Sequence, residues 1–339
     1  MTIPQVPSHS RGSTRPRVAF VGMSDSPLLQ EVLAAEVDVV GIARSLPRGS
    51  SGLVHAARRP GKLEQIVRER FYGGDLQHRA TSVGAAYLEL GTSNGDEFVH
   101  WLGELDIDYL LVCSMSRLLS REAIEKPKVG CINVHPSYLP EYRGPDPYTA
   151  AILDDANSGG VTLHWIDEGE DTGPIISQAR FAIHRGMTKR EMVAQVENST
   201  GATLLSVLLR GIATGDAPPS QVQPLVSPTA RAARLSPSEI SERIQWEGWD
   251  VERLWHVLRG LEDLAPKILD LAETSTRRWR VTSYSSHPSD SGGVRIESSH
   301  RTARVVTPHG SVFLKSSRMP LHSIVRVGVE RVARRLRSA

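Results

Sequence analysis

The sequence has few cysteines and almost no charge imbalance. Its 339 residues include only two cysteines, Cys113 and Cys131, and both stand in apolar runs. A disulfide framework and a cysteine metal site are therefore both disfavoured, and we expect no bound metal. The 40 Lys and Arg residues nearly balance 38 Asp and Glu residues, which leaves a formal net charge of +2. This balance gives the chain as a whole no general attraction to nucleic acid or to an acidic surface.

Long apolar segments and nucleotide motifs are absent as well. No apolar run reaches 18 residues, so the sequence predicts no membrane-spanning helix and no membrane partner. Residues 1–16 lack the apolar core of a secretory signal, and we therefore expect a cytoplasmic protein. Only Gly22 follows the first predicted strand, where a dinucleotide site would need Gly-x-Gly-x-x-Gly. The sequence also lacks a Gly-x-x-x-x-Gly-Lys phosphate loop.

The first two thirds of the chain alternate between strand and helix patterns. A buried strand is predicted at 17–22, a helix at 24–36 and a second strand at 38–43. A further helix at 96–105 precedes a continuous apolar strand at 108–113, a pattern typical of a central parallel strand. This order predicts an α/β fold with a doubly wound, mostly parallel sheet.

The length and the changes in composition predict two domains. Beyond a segment rich in proline and alanine, two short helices precede several alternating runs separated by turn residues, which indicates a small α+β domain resembling a β-barrel. The predicted organisation is a disordered leader at 1–16, a catalytic domain at 17–223, a linker at 224–235, a small β-rich domain at 236–320 and a basic tail at 321–339.

Three polar residues between 131 and 174 form a coherent chemical set. Asn133 and His135 are two residues apart on a predicted strand, so they share a face, and Asp171 closes an acidic loop after the next strand. An Asn amide can donate to a developing oxyanion, and a His can carry a proton near neutral pH. A carboxylate beside that His orients its ring. Taken singly, each residue could instead be structural: a packed His, a turn Asn or a helix-capping Asp. Together they point to direct acyl transfer onto an amine.

The sequence around these residues resembles that of a known family. Residues 133–144 read Asn-Val-His-Pro-Ser-Tyr-Leu-Pro-Glu-Tyr-Arg-Gly, followed by Gly-Val-Thr-Leu-His at 160–164 and Asp-Glu-Gly-Glu-Asp-Thr-Gly-Pro-Ile-Ile at 167–176. This pattern resembles the folate-dependent formyltransferases, which include enzymes acting on methionyl-tRNA, glycinamide ribonucleotide, sugar nucleotides and hydroxyornithine. The resemblance covers most of 17–223. It implies 10-formyltetrahydrofolate as the donor and Asn133, His135 and Asp171 as the catalytic set.

The resemblance also implies where folate binds. Ligands of open parallel sheets lie beyond the carboxyl ends of the strands. The expected folate contacts therefore come from the turn after strand 108–113, from the Pro-rich turn after His135 and from the acidic loop. Tyr138 departs from the family's usual Ser-Leu-Leu-Pro, and the residues of the first turn could instead be ordinary core. The expected contacts are Met115, Leu118, Leu119, Ser137, Tyr138, Leu139, Pro140, Asp167, Glu168, Gly169 and Glu170.

The residues after the Pro-rich turn are expected to face the acceptor amine. Positions 145 and 146 differ from the methionyl-tRNA enzymes, and residues 44–61 hold only scattered arginines where those enzymes carry a longer basic loop. We therefore expect a small amine (an amino sugar nucleotide, hydroxyornithine or an aromatic amine) as the acceptor, in preference to tRNA. The expected acceptor contacts are Tyr142, Arg143, Asp146 and Tyr148.

Two alternatives stay open at this point. The chain is also similar to methionyl-tRNA formyltransferases, weakly so in its C-terminal part, which keeps methionyl-tRNA as a possible acceptor. Hydrolysis of 10-formyltetrahydrofolate, with water as the acceptor, is the second. A folate-binding module without turnover is disfavoured by the intact set of Asn133, His135 and Asp171. The sequence is compatible with a monomer or a homodimer.

Overall fold

A computed structural model describes residues 15–47, 76–91, 95–271, 277–288 and 293–318. Three sequence predictions fall largely outside these residues. They are the leader at 1–16, most of the loop at 44–61 and the basic tail at 321–339.

A seven-stranded sheet organises the first part of the chain. Its strands are β1 Arg17–Gly22, β2 Asp38–Ser45, β3 Ala86–Leu90, β4 Tyr109–Cys113, β5 Gly130–His135, β6 Ser158–Trp165 and β7 Ile175–Ala182. They are arranged in the order β3-β2-β1-β4-β5-β6-β7. The strands from β3 to β5 pair in parallel, and β6 is antiparallel to β5. The mostly parallel sheet expected from the sequence is confirmed.

The central strands are apolar without alternation because both faces of the sheet are covered. All five residues of β4 are buried, and β1 is buried from Val18 to its end. Strands of this kind read as continuous hydrophobic runs. The helices of the chain are α1 Pro27–Ala34, α2 Leu76–Ser82, α3 Gly95–Leu105, α4 Arg121–Ile124, α5 Pro147–Leu153, α6 Lys189–Gln195, α7 Gly201–Thr214, α8 Pro237–Arg243, α9 Val251–Gly260 and α10 Ala265–Ile268.

The helical segment that begins at α6 shows how local sequence signals set its ends. Thr188 and Glu191 form a capping box, since the Thr188 N–H donates to the Glu191 carboxylate at 2.7 Å and the Glu191 N–H donates to the Thr188 hydroxyl at 3.2 Å. A π-helical turn, Val196–Thr200, joins α6 to α7. Gly215 ends α7 in the left-handed conformation, with φ 84°.

The chain forms two compact units that are interleaved along the sequence. The first comprises Met1–Pro145, Gly159–Phe181 and Val193–Arg231, and the second comprises Asp146–Ser158, Ala182–Met192 and Ala232–Ala339. Because the units are interleaved, the contiguous domain boundaries drawn from the sequence stay a prediction.

The second unit contains a separate antiparallel sheet. Its strands are β8 Arg277–Ser285, β9 Arg295–Ser298, β10 Thr302–Thr307 and β11 Gly310–Arg318, in the order β8-β11-β10-β9. Trp279, Val281 and Leu314 are buried, and α9 packs against β8 and β11. The small β-rich C-terminal part expected from the sequence is therefore present. Among the described helices of the whole chain, none is long and apolar enough to cross a membrane.

The central strand β4 should carry much of the stability of the first unit. Leu110 is fully buried at its centre, so we expect Leu110→Ala to lower the free energy of unfolding by about 2–5 kcal/mol. Urea denaturation measures this change. The control is Leu225→Ala, because Leu225 is almost fully exposed and should change stability by no more than about 0.5 kcal/mol. Equal effects of the two substitutions would contradict this account of the core.

Candidate active site

Strand β5 places Asn133 and His135 at its carboxyl end. Cys131, Ile132 and Val134 are buried beside them, so the apolar residues hold the strand in the sheet. On the β6 side, Asn133 stands opposite His164, and His135 stands opposite Thr162. The two candidate catalytic side chains therefore project from a rigid, fully paired strand.

Asp171 meets both of these side chains. Its Oδ1 lies 3.4 Å from His135 Nδ1 and 3.4 Å from Asn133 Nδ2, and its Oδ2 accepts a hydrogen bond from the Gly144 N–H at 2.9 Å. The side chains of His135 and Asp171 are only 5% and 15% exposed. The structure thus brings together the three residues that the sequence predicted as catalytic.

The second nitrogen of the His135 ring faces a main-chain carbonyl. His135 Nε2 lies 3.2 Å from the Tyr142 carbonyl oxygen, which can only accept a hydrogen bond. Nε2 therefore carries a hydrogen and donates it to this carbonyl. When Nδ1 also carries a hydrogen, its hydrogen bond is accepted by the Asp171 carboxylate. Tyr142 and Asp171 both adopt positive φ angles, 53° and 55°, which are uncommon for residues other than glycine.

His164 completes the cluster, and sequence reasoning missed it. Its Nδ1 lies 2.8 Å from the Trp165 carbonyl oxygen and must donate to it, so Nε2 accepts from Asn133 Nδ2 at 3.1 Å. The same Nε2 lies 3.7 Å from Asp171 Oδ1. Burial, reinforced by the nearby His135, lowers the pKa of His164 to about 4. A neutral His164 therefore orients the Asn133 amide.

The described residues contain no group of three or more His, Cys, Asp or Glu side chains arranged to hold a metal ion. What converges at Asp171 is an amide and two imidazoles. This set can donate hydrogen bonds to an oxyanion and transfer a proton.

Comparison with known proteins identifies the family. The family model described as formyl transferase matches residues 76–208. The methionyl-tRNA formyltransferase of Symbiobacterium thermophilum is 31% identical over 249 residues, which are 72% of this chain and 69% of that protein. The chain belongs to the formyltransferase family. The methionyl-tRNA formyltransferase of Syntrophomonas wolfei is similar to the same extent, with 30% identity over 68% of each chain.

Solved structures with the same fold extend over nearly the whole of this formyltransferase. One is the N-formyltransferase of Helicobacter canadensis in complex with folinic acid and dTDP-3-aminofucose, with a TM-score of 0.58, 18% identity and coverage of 90% of this chain and 100% of that chain. Another is WlaRD, a sugar 3N-formyl transferase, with a TM-score of 0.58, 15% identity and coverage of 91% and 99%. At these identities the likeness establishes the fold.

The turn after β4 presents apolar side chains at the carboxyl end of the sheet. Met115 and Leu119 are half-buried against the core, whereas Leu118 is 57% exposed. Ser116 anchors the turn, because its hydroxyl donates to the Leu46 carbonyl at 2.6 Å and its N–H donates to the Ser45 hydroxyl at 3.0 Å. The three predicted folate contacts of this turn thus lie on a firmly held segment.

The Pro-rich turn after β5 is also held from within. Leu139 is fully buried, its N–H donates to the Thr162 hydroxyl and its carbonyl accepts from the Gln178 amide, so the whole residue is enclosed within the protein. The Ser137 hydroxyl donates to the Glu141 carbonyl at 2.6 Å, and a cis peptide joins Leu139 to Pro140. The guanidinium of Arg180 lies 3.9 Å from the centre of the Tyr138 ring. The Tyr138 ring thus has a cation stacked on its face.

The acidic loop between β6 and β7 folds back tightly. The Trp165 N–H donates to the Pro174 carbonyl, and a Cβ on Gly173 would come 1.8 Å from the Trp165 carbonyl oxygen, so only glycine fits there. Asp167 accepts hydrogen bonds from Gly169 and Thr172 inside the loop. Of the remaining predicted folate contacts, Glu168 lies 3.6 Å from Arg121, and Glu170 is paired with Arg231.

Two of the predicted acceptor contacts are bonded to a later part of the first unit. The Arg143 guanidinium donates to the Gln223 side chain at 2.8 Å and to the carbonyls of Pro224 and Leu225. The Tyr142 N–H donates to the Thr229 hydroxyl at 2.6 Å. These contacts come from residues that the sequence assigned to the end of the catalytic domain and to the linker.

The other two predicted acceptor contacts belong to the second unit. Asp146 caps α5, and its carboxylate accepts hydrogen bonds from Lys189 Nζ at 2.7 and 2.9 Å. Tyr148 is half-buried in the first turn of that helix. The role of Asp146 as a helix cap and ion-pair partner explains its presence without a ligand.

The neutral state of His164 predicts a pH dependence of stability. Because its pKa is lowered from 6.5 to about 4, the unfolded chain takes up a proton between those values that the folded chain excludes. The contribution of this group to the free energy of unfolding is therefore fully present above about pH 6.5. As the pH is lowered from there towards 4, the contribution decreases by about 1.4 kcal/mol per pH unit for one such group. We expect His164→Gln to reduce this fall when urea denaturation is compared at about pH 6.5 and about pH 5.

The control for this comparison is His100→Gln, at a position whose side chain is 77% exposed. Its stability should follow the pH dependence of the unsubstituted protein. If His164→Gln also shows an unchanged pH dependence, His164 is not held neutral in the folded state.

Proposed function

We propose that this formyltransferase moves the formyl group of 10-formyltetrahydrofolate to the amine of a small molecule, by direct attack of that amine. The observation that carries the proposal is the convergence of Asn133 and His135 on Asp171. The acceptors it best fits are an amino sugar nucleotide, a hydroxylated ornithine or an aromatic amine.

A covalent route through a protein thiol has little support. Burial raises the pKa of Cys131 to about 12, and burial likewise raises the pKa of Cys113 far above its usual range. Neither thiol would form a thiolate near neutral pH, and the thiolate is the nucleophile. This supports direct attack by the substrate amine.

In the proposed reaction, the protein's residues act on charge and protons. The donor supplies a formyl carbon bonded to N10 of the folate. The neutral amine forms a bond to that carbon, and negative charge develops on the carbonyl oxygen. Asn133 Nδ2 donates to this oxygen by releasing its long, 3.4 Å bond to Asp171. The protonated His135 ring shares its Nε2–H between the Tyr142 carbonyl and the same oxygen. As the bond to N10 breaks, a proton passes from the amine to N10 through His135 or a water molecule beside it. Asp171 holds the His135 ring throughout.

The predicted folate surface fits a flat heterocycle with polar edges. The exposed Leu118 and the half-buried Met115 offer an apolar surface at the carboxyl end of β4. The acidic loop at 167–170, with Glu168 and Gly169 exposed, offers polar groups in the same unit. Binding sites commonly combine such an apolar wall with a few polar groups.

The state of two arginines in the first unit favours a small acceptor. The Arg143 guanidinium is already bonded to Gln223, Pro224 and Leu225, which reduces its capacity to bind a phosphate. Arg44 lies 3.8 Å from Glu89. Basic side chains engaged in this way contribute little to binding a long polyanion.

Methionyl-tRNA is a second candidate acceptor, because it is the substrate named in both sequence relatives and because one face of the C-terminal sheet is basic. Lys315 stands directly opposite Arg280 on adjacent strands. On the same face, the Arg304 guanidinium lies 5.6 Å from the centre of the Phe313 ring. Cations interleaved with an aromatic ring suit a nucleic-acid backbone and its bases.

The decisive experiment is a panel of acceptors with 10-formyltetrahydrofolate. Tetrahydrofolate release is followed by absorbance, and formylated products are identified by mass spectrometry. Release with a small amine supports the proposal. Release with initiator methionyl-tRNA alone supports the second candidate, and release without any acceptor supports hydrolysis.

Substitution of the two oxyanion donors tests the catalytic assignment. Asn133→Ala and His135→Ala should each lower kcat on the order of 100–1,000-fold, because each removes a hydrogen-bond donor from the developing charge. Steady-state assays with the active acceptor measure this, and circular dichroism checks that the variants fold. The matched control is Asn198→Ala, at an exposed position of the π-helical turn. Near-normal turnover in either active-site variant would refute the assignment.

The basic face supplies a second discriminating prediction. The double substitution Arg280→Gln with Lys315→Gln should leave kcat and KM for a small amine unchanged. For an RNA acceptor it should raise KM and reduce the slope of log affinity against log salt by about 2, because each of the two cations would neutralise about one phosphate. A raised KM and a smaller salt slope for the RNA acceptor would favour methionyl-tRNA as the acceptor.

A further inference from the structure

The segment formed by residues 221–231 lies against two loops of the first unit, the Pro-rich turn after β5 and the acidic loop between β6 and β7. These two are called the catalytic loops below. The sequence of the segment is instead typical of the end of a domain and a linker. Its first residue, Gln221, pairs with Ile175 in an isolated antiparallel bridge. We propose that Gln223 and Thr229 of this segment are positioning residues, which hold the two groups that flank the His135 ring. The inference rests on the proposed function of His135.

Both groups that flank the ring belong to residues in an unfavourable backbone conformation. Asp171, which faces Nδ1, has φ 55°, and Tyr142, whose carbonyl faces Nε2, has φ 53°. Residues with a side chain keep a left-handed conformation only where the surrounding structure determines it. The position of His135 therefore depends on whatever holds these two residues.

Gln223 holds the main chain at Asp171. Its Nε2 donates to the Asp171 carbonyl at 3.1 Å and to the Gly173 carbonyl at 2.5 Å, while its Oε1 accepts from Arg143. The Gln223 side chain is buried, with the residue only 5% exposed. A buried amide with all these bonds fixes the main chain on both sides of the left-handed residue.

Thr229 holds the main chain at Tyr142. Its hydroxyl accepts the Tyr142 N–H at 2.6 Å. The neighbouring Ser227 hydroxyl donates to the Pro140 carbonyl at 2.7 Å and lies 3.3 Å from the Thr229 hydroxyl. The segment thus contacts the main chain just before and at the residue whose carbonyl faces His135.

Hydrophobic packing does not explain why the segment lies there. Its large apolar side chains are turned outwards, with Val222 78% exposed, Leu225 96% and Val226 81%. The buried side chain between them is the polar Gln223. The contacts that keep the segment in place are therefore the same hydrogen bonds that hold the catalytic loops.

Four variants separate positioning from general stability. Thr229→Val removes the acceptor of the Tyr142 N–H, and Thr229→Ser restores a hydroxyl. Gln223→Glu keeps an acceptor for Arg143 but loses the donor to the two carbonyls. Leu225→Ala is the control, because it changes an exposed side chain of the same segment.

The expected result is a change in kcat without a matching change in donor binding. Thr229→Val and Gln223→Glu should lower kcat about ten- to a hundredfold, since a small displacement of a catalytic group costs this much. KM for 10-formyltetrahydrofolate should stay within about twofold. Thr229→Ser and Leu225→Ala should keep kcat within about threefold of the unsubstituted protein.

A second measurement does not need turnover. The ring-nitrogen NMR signals of His135, recorded at one fixed pH and assigned with His135→Gln, report the hydrogen bond on each nitrogen. They should change in Thr229→Val and Gln223→Glu and stay unchanged in Leu225→Ala. If the His135 signals change as expected but the unsubstituted protein transfers no formyl group, the positioning role is supported and the proposed function is refuted.

Three results would overturn the inference. One is unchanged ring signals in both Thr229→Val and Gln223→Glu. Another is an equal loss of kcat in Thr229→Ser, which would show that the hydroxyl is not what matters. The third is an equal loss in Leu225→Ala, which would reduce the segment to a general structural element.

Discussion

The candidate site depends on the partnered carboxylate of Asp171. A carboxylate with so little exposure is costly unless its oxygens are satisfied, and here the Gly144 N–H, the Asn133 amide and His135 supply the partners. Each partner is in turn oriented by the bond it makes. The group therefore behaves as one unit, in which the loss of any member leaves another unpaired.

The antiparallel pairing of β6 with β5 is the feature of the fold that makes this unit possible. It sets His164 directly opposite Asn133, where the two side chains bond at 3.1 Å. The loop that leaves β6 then folds back, closed by the bond from Trp165 to Pro174, and brings Asp171 to Asn133 and His135 at the end of β5. The rigid sheet supplies two histidines and an amide, and the loop supplies the charge.

Much of this arrangement could be predicted from the sequence, because the information is local. Apolar runs predicted β1 and β4, and the motif around Asn133, His135 and Asp171 predicted the set that meets in space. His164 was missed, since its partner is 31 residues away and becomes a neighbour only through strand register. Gln223 and Thr229 were missed for a related reason: residues 221–231 have no periodicity, and their contacts with the catalytic loops are long-range and made largely to main-chain atoms.

The most direct test of this account is the rate of formyl transfer in Asp171→Asn, measured by tetrahydrofolate release with the acceptor that the unsubstituted protein uses. An Asn side chain can still accept from Gly144 but has no charge to stabilise a protonated His135. We expect the rate to fall at least about 100-fold, with donor binding retained. The control Asp263→Asn changes a carboxylate that is 78% exposed, and its rate should stay close to normal. A normal rate in Asp171→Asn would contradict the central role of the carboxylate.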